Sequence, residues 1–421
     1  MSWLKSYIHS WVTKKQTEKT IRNINKNNLA GRNITVYRPS EIEAFFDPRE
    51  PVGNTVISGG NVENRARATV AACLCAFHNK IPVLILHETN NLLEHKINYT
   101  FQASNKMAIV NSNNPIYDPL WGLTQQEIAY MVMNCAPKGY EIKPSGRQYI
   151  EGIAEFINCK GAPVCSDMFI RCPHSTLLDR VDKASQQGSL PTSQAQRIRN
   201  LLMQGQSERA SIEAFFSQFD YQGRYLIADR TNRDRSVNIK QITDSCGLLM
   251  LDIQSSTNTV LLNVIVDEIQ DVLAEGKNLL LVLDNINLAS NQMLERLMKA
   301  QTTRCLTVMS SLDVYAALGS NAPLFATITG MAQKCIIYNH QSGISCEKWS
   351  NVFGYYDKGI VSQNLGSSRN AQEHSYGTTH SINVSMGKEY RVKPQEIIAM
   401  SQNEVFVLDR QSGELAFTTV V

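Results

Sequence analysis

Short apolar runs alternate along this chain with longer stretches in which apolar residues return every three or four positions, the signature of buried strands and amphipathic helices taken in turn. The runs Val83 to Leu86 and Leu279 to Leu283 are continuously apolar, as a parallel strand covered on both faces must be. Strands are predicted at Asn33 to Tyr37, Thr55 to Ser58, Val83 to Leu86, Met107 to Val110, Leu248 to Ile253, Asn278 to Leu283, Cys305 to Met309, Cys335 to Tyr338 and Val405 to Leu408. Helices are predicted between them at Asn64 to Asn79, Thr124 to Met133, Arg147 to Asn158, Asn258 to Ala274, Ser290 to Ala300 and Ser345 to Phe353. Strand, loop, helix and strand from Thr55 to Leu86 form a βαβ unit. The pattern as a whole predicts an α/β fold, a doubly wound, mostly parallel sheet with helices on both faces.

The texture changes from about residue 156 to 235, where helical periodicity dominates, β-branched runs are few and cap residues such as Ser166, Ser175, Ser193 and Ser211 recur. This reads as an inserted all-helical domain. The expected division is 1–50 for an N-terminal basic arm and first strand, 51–155 and 236–421 for the two parts of the main domain, and 156–235 for the insert. At the N-terminus Trp3, Leu4, Tyr7, Ile8 and Trp11 recur at helical spacing, and Lys14, Lys15, Lys19, Arg22, Lys26 and Arg32 follow in an Asn-rich stretch. Residues 361 to 384, rich in Ser, Gly, Asn, Thr and His, read as a mobile polar loop.

At 421 residues the chain exceeds the roughly 250–300 at which single cores stop growing. With 43% hydrophobic and 19% charged residues it is a folded rather than disordered chain, and a net charge of +3 is too small to argue for nucleic acid except through a local patch. The apolar runs fall far short of the ~20 residues of a membrane span, and no signal peptide is expected. Ten cysteines without C-x-x-C spacing read as reduced thiols of a cytoplasmic protein.

The candidate chemistry lies at strand ends. At Val56 to Thr69 a β-branched run meets Gly59-Gly60 and then an alanine-rich helix, which is the layout of a phosphate-binding loop. A working loop reads G-x-x-x-x-G-K-[ST], so that backbone N–H groups cradle phosphate, a lysine reaches the β/γ oxygens and a hydroxyl holds Mg²⁺. Set on Gly59, this chain has Asn64 for the second glycine, Arg65 for the lysine and Ala66 for the hydroxyl. The strand at 278–283 delivers Asp284, where P-loop ATPases hold Mg²⁺, followed by Asn285 where a glutamate would polarise water; an amide cannot take that proton. Ser310-Ser311 stands at the end of the next strand. Plainer readings remain beside these: Gly59-Gly60 as a simple turn, Asp284-Asn285 as a cap, His374 and His380 as solvated loop residues, and Trp121 and Trp349 as core or interface anchors.

The order and spacing of these segments resemble the type IV secretion coupling proteins, the TraG/TraD class of hexameric DNA-pumping ATPases related to FtsK and HerA. The resemblance runs over about residues 50 to 421, through Ile57-Ser-Gly-Gly60, Pro82 to Leu92, Asp118-Pro119-Leu120, the helical insert, the Asp284 strand, Ser310-Ser311-Leu312, Trp349 to Gly354 and Glu404 to Leu408. It implies a RecA-like P-loop NTPase fold. It also marks the departures: Asn64, Arg65 and Ala66 in the loop, His87 for an acidic residue, Asn285 at the catalytic glutamate position and Ser310 at the sensor glutamine position. Asp284 alone could hold metal, if Mg²⁺ is bound at all, and Arg67 and Thr69 are the residues that could stand in one turn further along.

The function this implies is a pseudo-ATPase, a structural or adaptor subunit of a conjugation or type IV secretion system, with no cofactor. Its partners would be other proteins of that system, including an active paralogous ATPase, and further copies of itself. The expected location is cytoplasmic or peripheral to the inner face of the membrane. One alternative is an unconventional ATPase that uses ATP and Mg²⁺ to move DNA or protein; another is a nucleic-acid-binding module built on the basic arm.

Overall fold

The computed structural model describes residues 2–421 except 51, 138, 254–258, 288–291, 301–303 and 371–374. Its strands are β1 (Ile34–Val36), β2 (Thr55–Ser58), β3 (Val83–His87), β4 (Met107–Val110), β5 (Leu248–Asp252), β6 (Leu279–Asp284), β7 (Cys305–Ser311), β8 (Lys334–Ile337), β9 (Tyr355–Asn370), β10 (Ser375–Tyr390), β11 (Glu404–Asp409) and β12 (Glu414–Thr419). The helices used below are α1 (Ser2–Arg32), α2 (Val62–His78), α3 (Asn91–Phe101), α4 (Gln125–Cys135), α5 (Gly146–Cys159), α6 (Ser166–Ile170), α7 (Leu177–Gln186), α8 (Thr192–Gln204), α9 (Arg209–Gly223), α10 (Ile239–Ser245) and α11 (Thr259–Ala274). The chain divides into two compact units, residues 41–333 and residues 1–40 with 334–421.

In the larger unit the strands lie in the order β2, β7, β6, β3, β5, β4, and every neighbouring pair is parallel. The apolar runs explain this. Every residue of β3, β5 and β6 is buried, so each of these strands is covered on both faces. A leucine, isoleucine or valine so buried contributes about 1.5–3 kcal/mol. The fold is α/β with a mostly parallel doubly wound sheet, as the alternation of patterns predicts. The parallel register sets the ends of the strands side by side: His87 is level with Asp252 on one side and Asp284 on the other, and Asp284 with Ser310.

Helices α5 to α9 follow one another through the helical stretch without an intervening strand. They bury Phe169, Phe215, Phe216 and Phe219, with Phe169 stacked on Phe216 at 5.0 Å between ring centroids. An extended segment returns this region to the parallel strands' unit: Tyr117 bridges both Ile227 and Val237.

In the smaller unit β1 pairs in parallel with β12, and β12, β11 and β8 continue antiparallel. Its core holds Trp349, which is fully buried and so is an anchor rather than a stacking platform. The tryptophan-bearing N-terminal segment and the basic stretch are one helix, α1. Among the described residues, no helix is long and apolar enough to cross a membrane.

The stretch 361–384 does not read out as a mobile loop. β9 and β10 pair residue by residue from Tyr355 with Tyr390 to Asn370 with Ser375. Residues such as Ile360, Val361, Thr378, Thr379, Ile382 and Val384 favour the extended backbone, and the ladder satisfies it. His380 is level with Leu365 on this ladder, while His374 lies outside the described residues. The strand β12 also follows the Gln411 to Gly413 turn, where the pattern predicts only β11.

Candidate functional site

β2 ends at Ser58, and the chain turns through Gly59 at φ 85° and Gly60 at φ 66°. Only glycine adopts that pair of left-handed conformations without cost. Helix α2 then starts at Val62, two residues before the start predicted from the apolar pattern. The reason is Asn61. Its side chain accepts the Asn64 N–H at 2.8 Å and its carbonyl accepts the Arg65 N–H at 3.3 Å, so it caps the helix at once. Asn64, Arg65 and Ala66 therefore lie within the first turns of α2, all buried.

A phosphate loop needs inward-facing N–H groups at this place. Here the Gly59 N–H donates to the Ser311 carbonyl at 3.1 Å, and the Asn64 N–H is taken by the cap. Arg65 turns back over the bend: its Nη1 donates to the Gly59 carbonyl at 3.2 Å and the Gly60 carbonyl at 2.8 Å. The guanidinium is thus held by two carbonyl oxygens of the loop. Arg67 makes a two-pronged pair with Glu43, Nε to Oε1 at 3.1 Å and Nη2 to Oε2 at 2.9 Å. Thr69 is fully buried, so its hydroxyl faces the protein interior.

The second half of the site lies at the ends of β3, β6 and β7. Asp284 is 2% exposed and accepts two neutral donors, the Ser310 hydroxyl on Oδ1 at 2.7 Å and the Asn90 amide on Oδ2 at 2.6 Å. Asn90 also caps α3, accepting the Leu93 N–H at 3.1 Å, and donates its own N–H to His87 Nδ1 at 3.2 Å. An accepting Nδ1 places the ring proton of His87 on Nε2, 3.4 Å from Glu94 Oε1. Glu94 in turn accepts the Asn111 amide at 3.0 Å. Beside them Asp252 accepts the Thr89 N–H at 2.9 Å. Asn285, next after Asp284, is exposed and left-handed at φ 60°, and its N–H donates to the Ser310 carbonyl at 2.7 Å.

Sequence patterns place Asp284 and Ser310 at strand ends, and the fold brings them into direct contact. The same patterns do not single out Asn61 or Asn90. Both carry the signal of an amide just before a periodic helical stretch, but only the tertiary contacts show that Asn90 also closes off Asp284.

No family model matches the sequence, and no curated protein does. Among solved structures the chain is similar to the plasmid coupling protein TrwB in complex with the non-hydrolysable ATP analogue ADPNP, at 12% identity and TM-score 0.51 over 94% of this chain and 92% of that one. TrwB with the GTP analogue GDPNP matches at 11% identity and TM-score 0.50, over the same shares. The fold is that of the conjugative coupling proteins. VirB4 of Thermoanaerobacter pseudethanolicus matches at TM-score 0.44 and 10% identity, over 87% of this chain and 89% of that one, too low to add to this. At this site Arg65 donates to the carbonyl oxygens of Gly59 and Gly60, position 66 is an alanine without a hydroxyl, and Asp284 accepts an amide and a hydroxyl.

Proposed function

We propose that this chain is a coupling-protein-like pseudo-ATPase, a structural or adaptor subunit of a conjugation or type IV secretion assembly that does not hydrolyse ATP. The observation that carries the reading is Arg65, whose guanidinium donates to the carbonyls of Gly59 and Gly60 and so fills the bend where a nucleotide's phosphates would sit. The pairing of Asp284 with Ser310 and Asn90 supports it from the metal side, and the coupling-protein fold supports the assembly. Within such an assembly the chain supplies shape and contacts, and an intact paralogous ATPase supplies the work.

Calorimetric titration of the full chain with ATP and with ADP, each in excess Mg²⁺, tests the proposal. The expected result is no saturable heat up to millimolar nucleotide, which bounds any binding at about −4 kcal/mol, and no difference between the native chain and Asp284→Ala. Micromolar affinity that disappears in Asp284→Ala would overturn it and favour an unconventional ATPase.

A further inference from the structure

The helical part of the larger unit encloses a cavity of about 440 Å³ that none of the chemistry above uses. Its floor is aliphatic, with Ile157 from α5 and Leu177 and Ala184 from α7, all buried. Its rim is cationic: Lys160, Arg171, Arg180, Lys183 and Arg230 line it and are exposed. No aspartate or glutamate is among the lining residues described. On α7 the lining positions 177, 180, 183 and 184 follow helical spacing, so one face of that helix supplies both floor and rim.

The rim charge is only partly answered from within. Asp167 lies 2.5 Å from Arg171 and 3.7 Å from Arg230. Lys160 donates to the Ser189 hydroxyl at 3.0 Å and stands 5.6 Å above the Phe156 ring. Among the described residues, no carboxylate pairs with Arg180 or Lys183. Cys172 in the cavity wall does not help, since burial pushes its thiol up to about 11, with Arg180 opposing the shift.

We propose that this cavity docks an acidic, amphipathic peptide segment of a partner protein, which sets an apolar side chain on the Ile157, Leu177 and Ala184 floor and its carboxylates against Arg180, Lys183 and Lys160. Charge complementarity carries the choice of partner. A rim of cations over an apolar floor matches carboxylates flanking a large apolar side chain, and the volume falls in the range of about 300–1,000 Å³ typical of built ligand sites. Nucleic acid matches it less well. Single strands are held by open aromatic faces along a continuous basic groove, whereas the one aromatic ring that lines this cavity among the described residues, Phe156, is covered by Lys160 at 5.6 Å. The proposal stands apart from the nucleotide question, because the cavity involves no residue of the Arg65 or Asp284 sites.

The test is fluorescence anisotropy of the full chain with a fluorescein-labelled peptide of about twelve residues in which leucine and phenylalanine are flanked by aspartate and glutamate. Saturable binding is expected, weakened by salt and reduced about tenfold or more, which is about 1.4 kcal/mol, by the double variant Arg180→Glu and Lys183→Glu. Both residues are exposed, and an unchanged circular dichroism spectrum with an unchanged melting temperature confirms that the variant folds. The milder pair Arg180→Gln and Lys183→Gln is expected to give an intermediate loss. Replacing the peptide's leucine and phenylalanine with serine is expected to weaken binding to a similar degree. Four results overturn the proposal: no saturable binding, no effect of either variant, equal binding of polyglutamate, which means charge attraction alone, or stronger competition by oligothymidylate than by unlabelled peptide, which means a nucleic-acid site.

Discussion

At Asn285 the backbone stands at φ 60°, where asparagine sits comfortably and most other side chains are strained by roughly 1 kcal/mol. The amide of Asn285 therefore suits the turn after β6, and an amide cannot take up a proton as a carboxylate does. Asn285→Glu is expected to lower stability by about 1 kcal/mol in urea denaturation without creating ATP hydrolysis, and Asn285→Gly to stay within a few tenths of the native value. A glutamate variant as stable as the native chain would show that the turn relaxes. Arg65 teaches the complementary point. That position 65 holds arginine in place of lysine is plain in the sequence; that the guanidinium folds back onto two carbonyls is not, because its direction depends on where α2 begins. Asn61 sets that start, through a cap whose strength shows only when the bend before it is in place.

At the scale of elements, the parallel strands were legible because burial on both faces leaves an unbroken apolar run, and β3, β5 and β6 each carry one. The β9 and β10 ladder was not legible. A two-stranded ribbon has little buried face to demand apolar alternation, so serine, glycine and asparagine persist within it and resemble a loop. Its order comes from cross-strand hydrogen bonds and from α1: the Asn28 side chain donates to the Gly359 carbonyl at 2.9 Å and accepts the Gly359 N–H at 2.8 Å, while Arg391 donates to the carbonyls of Arg32 at 2.8 Å and Asn33 at 2.6 Å. An isolated hairpin of this kind is marginal in water, so the clamp matters. Asn28→Ala is expected to speed hydrogen exchange of the amides around Gly359 and Met386 by about fivefold, the effect of losing roughly 1 kcal/mol. Exchange unchanged there, with the rest of the molecule also unchanged, would show that the ladder orders itself.

At the scale of the whole molecule, the helical region and the parallel strands are joined through buried acids. Glu268 on α11 accepts the Tyr117 hydroxyl at 2.9 Å and the first N–H groups of α10, from Ile239 at 2.6 Å and Lys240 at 3.2 Å. Burial pushes its carboxyl up to about 8, against the opposing pull of those donors. Burial likewise pushes Asp118 up to about 6, against the hydrogen bonds from Ser166 and Leu120. Because both folded values lie above the ordinary ones, the native state holds protons that the unfolded chain has released, and stability falls as pH rises through that interval. Between pH 6 and 8 the larger share of the fall is expected from Glu268, with Asp118 and Asp267, both pushed up to about 6, contributing at the lower end. The urea midpoint is expected to drop from pH 6 to pH 8 in the native chain and to drop by less than half as much in Glu268→Gln. An equal drop in both would assign the effect elsewhere.

The sequence by itself determined the strand and helix alternation, the helical stretch, and the identity of the residues that follow the glycine pair and the Asp284 strand, Asn64, Arg65, Ala66 and Asn285. These follow from local facts: period, run length and residue type at a strand's end. Only the tertiary structure decided that Arg65 turns back onto the Gly59 and Gly60 carbonyls, that Asn90 reaches across to Asp284, and that five cations gather over one apolar floor. Those contacts join residues distant in the chain, such as Asn90 and Asp284, and a hydrogen bond's direction is set by the packing of the elements at its two ends. A local pattern specifies each element and is silent on which partner its side chains will meet.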